Sequence, residues 1–363
     1  MFKIFAAILF IFGSFSNSFI DSTQLMESYI FSNKEKDFQT DALLIIKNGK
    51  VVYEKYAKGY QSESRHFAWS VSKAVTGTLI GVALQRGDLS LNDRLSDVLK
   101  GYDDIFRDDV KKRDITVEHV INWASSLNYI EEYEQAESFT DSSVLQQLYG
   151  KKASKDMTRY LLSHDMVSTA GESWRYTTGD TTLLTSVLRD TYSQNQDNYP
   201  WDLLFDELGM QNVTWERDAS GNFVGGSHLF ISARDLAKVG SLYLNDGEYN
   251  GKRLLPEGYV EYSTSLNSVY LNNLSKAPDS LFDGLQSPGR QWWLNRKFKS
   301  PEEPVFDNAP VDTFMAIGHW GQFLAVVPSE DLIVVRFGED RKGKIDRNTM
   351  FGLIFNYLKS EGL

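Results

Sequence analysis

Phe67-Ala-Trp-Ser-Val-Ser-Lys-Ala-Val-Thr-Gly-Thr-Leu-Ile-Gly-Val-Ala-Leu-Gln-Arg-Gly87 is the stretch that decides how this chain folds. Val75, Leu79, Val82 and Ala83 recur at helical spacing, and Gly87 is a natural C-terminal stop. The segment is apolar almost all round, so it reads as a buried central helix and not a surface one. Ser70 then falls at the N-terminal edge of that helix and Lys73 one turn further in. A lone Ser-x-x-Lys is weak, since a capping serine and a surface lysine give the same text. A lysine set in so apolar a helix, however, needs a reason to be there.

Strand signals flank this helix at both ends of the chain. Ala42–Tyr56 reads as a hairpin, with β-branched runs on either side of Asn48-Gly49, the pair favoured in a type I′ turn. Gly318–Pro328 and Asp331–Phe337 read as two further strands joined by a turn at Pro328-Ser-Glu330. An opening helix fits Gln24–Ser32 and a closing amphipathic one Arg347–Ser360. The middle is mainly helical, with segments at Thr116–Trp123, Ser142–Tyr149, Lys155–His164 and Asp180–Tyr192. The expectation is an α/β fold of the α+β type: one antiparallel sheet assembled from both termini, flanked by helices, with a mainly helical lobe inserted. In about these bounds the sheet lobe takes residues 24–96 and 218–363 and the helical lobe 97–217. A cleft between such lobes is the natural place for a site.

The ends and the composition narrow the class. Lys3, the apolar run Ile4–Phe15 and the small residues Ser16-Asn-Ser18 have the order of a secretory leader, so residues 1–18 are expected to be a signal peptide and 19–363 the exported domain. The apolar run is shorter than the ~20 residues that span a bilayer. The mature protein is expected in the periplasm or outside the cell, unattached to membrane and acting as a monomer. Hydrophobic residues at 42% and charged residues at 24% suit a folded globular chain. A net charge of −11 disfavours nucleic acid and anionic membrane as partners. The absence of cysteine removes disulfides, thiolate nucleophiles and Cys-based zinc sites together, and none of the five histidines begins a His-Glu-x-x-His zinc motif.

Three clusters carry chemistry. Lys73 Nζ, one turn from Ser70, is within reach of its hydroxyl; burial would lower the amine from its ordinary pKa of about 10.4 and make it a base. Tyr176 in Tyr176-Thr-Thr178-Gly-Asp180 offers a phenol, which beside a lysine is expected to titrate lower than usual and relay protons, while Asp180 is expected as the N-cap of the following helix. His319-Trp-Gly321-Gln322 opens a late strand. Gly321 would let a ligand approach the strand edge, and the Gln322 N–H, with that of Ser70, would form an oxyanion hole.

Together these clusters resemble the β-lactamase and penicillin-binding superfamily, whose elements are Ser-x-x-Lys, a Tyr-x-Asn or Ser-x-Asn loop, and Lys-Thr-Gly on a strand. The surrounding text agrees: Phe67–Thr76, Gly225-Gly-Ser227 followed by Ser232-Ala-Arg-Asp235, and Gly318–Gln322 preceding Val326-Val-Pro328. The likeness runs from about Ala42 to Phe351 and is strongest with the class C-like branch of esterases, D-alanyl-D-alanine carboxypeptidases and 6-aminohexanoate-dimer hydrolases. Tyr149-Gly150, Asp156-Met157 and Tyr176-x-x-Gly179-Asp180 lean toward the last. The resemblance implies an acyl-enzyme on Ser70, with Lys73 and Tyr176 as general base and acid. It requires no metal or cofactor and takes a small amide, ester or short peptide as substrate.

Two departures bear on substrate. Thr178 stands where the family has Asn, and His319 where it has the lysine that holds the β-lactam carboxylate. A neutral imidazole does that less well, so a linear amide or ester is favoured over a β-lactam. The alternative is an exported penicillin-binding-type sensor or D-Ala-D-Ala carboxypeptidase with little turnover. No Gly-x-Ser-x-Gly elbow exists for a His-based triad. Ala124-Ser-Ser-Leu127, where relatives carry Gly before Leu, is read as structural. His119 is expected to pack in its helix, and His66 and His164 have no evident partner. The eight tryptophans are expected in the core or cleft lining, and Tyr129, Tyr133 and Tyr149 to pack within the helical lobe.

Overall fold

A computed structural model describes residues 21–31, 38–134, 136–274, 286–298 and 300–363. Its strands are β1 (Gln39–Lys47), β2 (Lys50–Tyr56), β3 (His66–Phe67), β4 (Val213–Trp215), β5 (Leu229–Ile231), β6 (Glu248–Tyr249), β7 (Lys252–Arg253), β8 (Gln286–Pro288), β9 (Trp293–Lys297), β10 (Phe314–Gly318), β11 (Gln322–Val327) and β12 (Leu332–Glu339). The main sheet has the order β2-β1-β12-β11-β10-β9-β8 and every pairing in it is antiparallel. Strands from the start of the chain therefore lie at one edge, joined to strands from its end through β1 and β12. The α+β fold read from the sequence is the fold observed. The proposed leader, 1–18, lies outside the described residues.

The sheet sorts its side chains with period 2. Leu43 and Ile45 of β1, Phe323 and Ala325 of β11 and Val334 of β12 face α1 (Ser22–Ile30) and the C-terminal helix. Ala42, Leu44, Leu324, Val326, Ile333 and Val335 belong to the opposite layer. That layer contains α2 (Ser72–Arg86), on which all but the last three residues are buried. It also holds α3 (Thr178–Thr191) and α4 (Ala233–Leu244), with α5 (Arg347–Ser360) closing the first layer. Each large aliphatic side chain so buried contributes about 1.5–3 kcal/mol. Gly87 ends α2 with φ 74°, and Asn48 and Gly49 turn the first hairpin at φ 51° and 69°, as their residue types require.

Some boundaries differ from expectation. The expected continuous strand from Gly318 is broken: β10 ends there, and His319–Gly321 form a tight turn before β11, with Trp320 at φ 57° and Gly321 at φ 86°. The expected helix N-cap at Asp180 is wrong. Thr177 caps α3, its hydroxyl accepting from the Asp180 N–H at 2.9 Å. Two residues of left-handed backbone flank the fold's working parts. Trp69 precedes Ser70 at φ 50°, and Ser126 has φ 64° at the position where the resemblance expects glycine.

Among the described residues no helix is long and apolar enough to cross a membrane, and no group of three or more His, Asp or Glu side chains is placed to hold a metal ion.

Candidate active site

Ser70 sits in a 3₁₀ turn, Trp69–Val71, that feeds α2, so its hydroxyl emerges at the positive end of the helix dipole. Lys73 is 1% exposed, and its Nζ lies 2.8 Å from Ser70 Oγ. Two other acceptors hold the amine: Thr178 Oγ1 at 2.9 Å and the Gly226 carbonyl at 3.1 Å. Burial lowers the Lys73 amine to about 8, against the opposing pull of the Glu131 carboxylate. The lysine and serine face each other as the spacing of three predicts.

The Gly225-Gly226 turn makes this possible. A Cβ on Gly225 would stand 2.6 Å from the Thr181 carbonyl, and one on Gly226 would stand 2.8 Å from that of Thr178. Only glycine lets the turn lie against α3 and present the Gly226 carbonyl to Lys73. The Gly225 carbonyl accepts from Thr76 Oγ1 at 2.8 Å, tying the turn to α2 as well.

Tyr176 comes from the loop before α3. Lys73 Nζ lies 4.7 Å from the centre of its ring, and the Ser70 hydroxyl interacts with its phenol. Burial pushes the phenol up, and the Glu131 charge pushes the same way. The expectation of a lowered phenol is therefore corrected. Burial thus holds Tyr176 toward its protonated form and Lys73 toward its neutral one. The ring is fixed by Trp123 and Trp293, with centroids at 4.9 Å and 5.4 Å.

Thr178 does not face a substrate as expected. It is fully buried; its hydroxyl donates to Glu131 Oε1 at 2.6 Å and its N–H to Glu131 Oε2 at 2.7 Å. Glu131 is a site residue that the sequence reading missed. It stands in an irregular loop, and nothing in its neighbours' pattern marks it.

Ser70, Glu131, Tyr133, Tyr176, Trp293, Ile317, Gly318 and His319 line a cavity of about 360 Å³. The side chain of Gln322 is not among them; it clamps Gly338, donating to the carbonyl at 2.6 Å and accepting from the N–H at 3.1 Å, while its backbone opens β11 opposite Gly318. Gly321 is displaced from its expected role. Arg336 Nη1 would stand 2.7 Å from a Cβ there and donates to the Gly321 carbonyl at 2.6 Å, so this glycine serves the turn and not a ligand. The glycine that admits close approach is Gly318, where a Cβ would stand 2.5 Å from the Ala68 carbonyl. The residue of this turn that borders the cavity is His319.

His319 stacks on Tyr133 with centroids 4.8 Å apart, and its Nε2 faces Glu134 Oε1 at 2.8 Å. Trp320 Nε1 donates to the same oxygen at 3.1 Å. The imidazole is thus already paired with a carboxylate from the loop that carries Tyr133, and the Nε2 expected to meet a substrate is engaged.

The remaining residues singled out in the sequence fall into structural roles. Asp180 accepts from Ser125 N–H and Oγ at 3.1 Å and 2.6 Å, and its burial raises it to about 7. His119 closes a capping box with Thr116, and His164 Nδ1 lies 3.0 Å from the Tyr160 carbonyl. His66 stacks on Phe337 at 4.7 Å. Tyr129 packs inside the helical region with its hydroxyl on Gln147 at 2.5 Å, Tyr149 is exposed, and Tyr133 alone of the three lines the cavity. A larger cavity of about 500 Å³, bordered by Val260, Arg296, Asp312 and Phe314 among others, has no lysine or histidine among its described lining residues.

Residues 23–357 match the family model described as Beta-lactamase. The chain belongs to the β-lactamase family. As a member it is a serine hydrolase, with the α+β fold of its superfamily. It is 25% identical over 308 residues to a 6-aminohexanoate-dimer hydrolase of Paenarthrobacter ureafaciens, covering 82% of this chain and 72% of that one. Solved structures of similar fold include EstCE1, described as a hydrolase with promiscuous acyltransferase activity, and the class C β-lactamase of Rhodobacter sphaeroides. The first has a TM-score of 0.67 at 15% identity, with 93% of this chain and 98% of that one covered. The second has a TM-score of 0.60 at 15% identity, with 94% and 99% covered.

Proposed function

We propose that this β-lactamase-family hydrolase cleaves a linear amide or ester through an acyl-enzyme on Ser70. The observation that carries the reading is the desolvated amine of Lys73, held 2.8 Å from the Ser70 hydroxyl. In its neutral form the amine takes the Ser70 proton as Oγ attacks the carbonyl carbon. The oxyanion is held by the backbone N–H groups of Ser70 and Gln322, the second just past the turn that ends β10 beside the cavity. The phenol of Tyr176, still protonated, delivers a proton to the leaving group and recovers one through Lys73. Water then attacks the ester carbonyl, with the same groups acting in reverse.

The lining supports a substrate without an anionic group beside the scissile bond. Glu131 lines the cavity, and Glu134 engages His319 at its border. A β-lactam carboxylate would meet these charges with no lysine or arginine among the described lining residues to receive it. The resemblance to 6-aminohexanoate-dimer hydrolases and esterases points the same way.

Intact-mass detection of a fluorophosphonate adduct, mapped to its residue, tests the reading directly. Labelling of Ser70 is expected, and labelling elsewhere would overturn it. Acylation by a substrate ester without release would favour a sensor over a turning-over enzyme.

The activity of the wild type is expected to rise with pH. Lys73 must be neutral to act, and burial sets it near 8, so kcat/KM for a short-chain ester should climb through about pH 8 and level above it. A flat profile from pH 6 to 9 would contradict Lys73 as the base.

His319→Lys restores the family's residue but leaves Glu134 across from it, so the new ammonium is expected to pair with that carboxylate. Chromogenic cephalosporin turnover should stay low in His319→Lys and rise in His319→Lys/Glu134→Gln, each with an unchanged melting temperature to within a few degrees. High turnover in the single variant would show that Glu134 does not control the cation.

A further inference from the structure

A neutral primary amine has two N–H donors and one lone pair. Three polar atoms surround Nζ: Ser70 Oγ, Thr178 Oγ1 and the Gly226 carbonyl oxygen. The carbonyl can only accept. A hydroxyl does both, so Thr178 could either accept from Nζ or donate into its lone pair. Donation would leave nothing on the amine to receive the Ser70 proton. The structure removes that option, because the Thr178 hydroxyl proton is committed to Glu131 Oε1 at 2.6 Å. The second Glu131 oxygen takes the Thr178 N–H at 2.7 Å, which fixes the carboxylate against the first turn of α3. With both N–H groups of the amine spent on Thr178 Oγ1 and Gly226, its lone pair has one direction left, toward Ser70.

We propose that Glu131 is a positioning residue. By holding the Thr178 hydroxyl proton it makes Thr178 a pure acceptor and aims the Lys73 lone pair at the Ser70 hydroxyl. The inference rests on the assignment of Ser70 and Lys73 above, and it adds a function for Thr178, which contacts Lys73 Nζ, and for Glu131, which acts through Thr178. Glu131 has a second effect of opposite sign. Its charge favours the ammonium and so opposes the burial that lowers Lys73. The ionisable groups around this pair are Tyr176, from the loop before α3, which faces both, and Tyr129, Tyr133 and Asp180, which feel the Glu131 charge. The tyrosines are held up by burial and carry no charge near neutrality; Asp180, raised to about 7, ionises below the Lys73 midpoint, but the carboxylate whose charge bears on Lys73 is that of Glu131.

Glu131→Gln separates the two effects. The amide oxygen still accepts the Thr178 N–H, but its NH₂ donates to Thr178 Oγ1 and turns the hydroxyl proton toward Lys73. The plateau kcat for a short-chain ester is expected to fall about tenfold to a hundredfold with KM little changed. The midpoint of the pH rise is expected to move down by about one pH unit, because the charge that favours the ammonium is gone. Thr178→Val, which deletes the acceptor, should lower kcat comparably. Thr178→Ser, which keeps the hydroxyl, should retain wild-type turnover, and the double variant Glu131→Gln/Thr178→Val should be no slower than the worse single one.

Wild-type Ser70 labelling by fluorophosphonate is measured alongside. If the wild type is not labelled there, the catalytic assignment itself fails. If it is labelled and Glu131→Gln keeps the wild-type plateau and midpoint, the positioning function alone is overturned. A fall in kcat with an unmoved midpoint, or with Thr178→Ser as impaired as Thr178→Val, also overturns it, since either result marks a merely structural residue.

Discussion

Ser70→Ala and Lys73→Met are each expected to lower kcat/KM for a chromogenic short-chain ester by at least about a thousandfold, and the double variant by little more than either alone. The two side chains perform one event, transfer of a proton off Oγ as it attacks, so the second removal has nothing left to abolish. Methionine is the better probe at 73 because it fills the volume of the lysine stem and leaves no cavity. Stability should move the other way from activity. The amine is paid for by desolvation, and its three polar partners are a carbonyl and two hydroxyls, with no contacting carboxylate. Removing it exchanges a strained ionisable group for an apolar one, at the cost of unpairing the Gly226 carbonyl. The melting temperature of Lys73→Met is therefore expected to match or exceed that of the wild type. Near-normal turnover in either single variant would end the assignment, and collapse of the fold in Lys73→Met would show that the amine is structural.

Much of this is legible in the sequence, and the reason is periodicity. The apolar repeat from Val75 to Ala83 specifies a buried helix, and the alternation in β1, β11 and β12 specifies a two-sided sheet. Where chemistry follows from local geometry, as with Ser70 and Lys73 three apart on one helix, the sequence reading holds in space. It fails where position depends on the path of irregular backbone. Glu131 reaches Thr178 from 47 residues away through a loop with no repeat. The turn at His319–Gly321 is two hydrogen-bonded strands folded on themselves, and a run of residues with β character gave no sign of where it would close. That one break makes Gly321 a turn residue packed on Arg336 and brings Gly318 against the backbone that precedes Ser70. Asp180 illustrates a different limit. Asp is a favoured cap, yet Thr177 took the position, because the buried carboxylate was worth more as the acceptor for Ser125.

The geometry around Ser70 also shows why a residue in left-handed backbone precedes it. Trp69 at φ 50° turns the chain from β3 into the helix so abruptly that the Ser70 hydroxyl stands clear of α2 and beside β10. Its ring stacks on Phe67 at 4.2 Å and meets Trp320 at 5.0 Å, so the strain is held by packing on both sides.

Tyr176→Phe is expected to divide substrates by their leaving groups. The phenol keeps its proton because it is buried and the Glu131 charge is near, so its use is as a donor. An amide cannot expel its nitrogen as an anion; the tetrahedral intermediate returns to substrate unless that nitrogen is protonated. For amide hydrolysis the loss in kcat/KM should therefore reach about a hundredfold to ten-thousandfold. A nitrophenyl ester expels a stable anion without help, and its acylation should slow less than about tenfold. The ring itself remains, so its packing on Trp123 and Trp293 and its contact with the Lys73 amine persist, and the melting temperature should change little. Equal losses on amide and nitrophenyl ester would mean that the phenol acts before the leaving group departs. It would then take the Ser70 proton itself, and Lys73 would be reduced to an electrostatic neighbour.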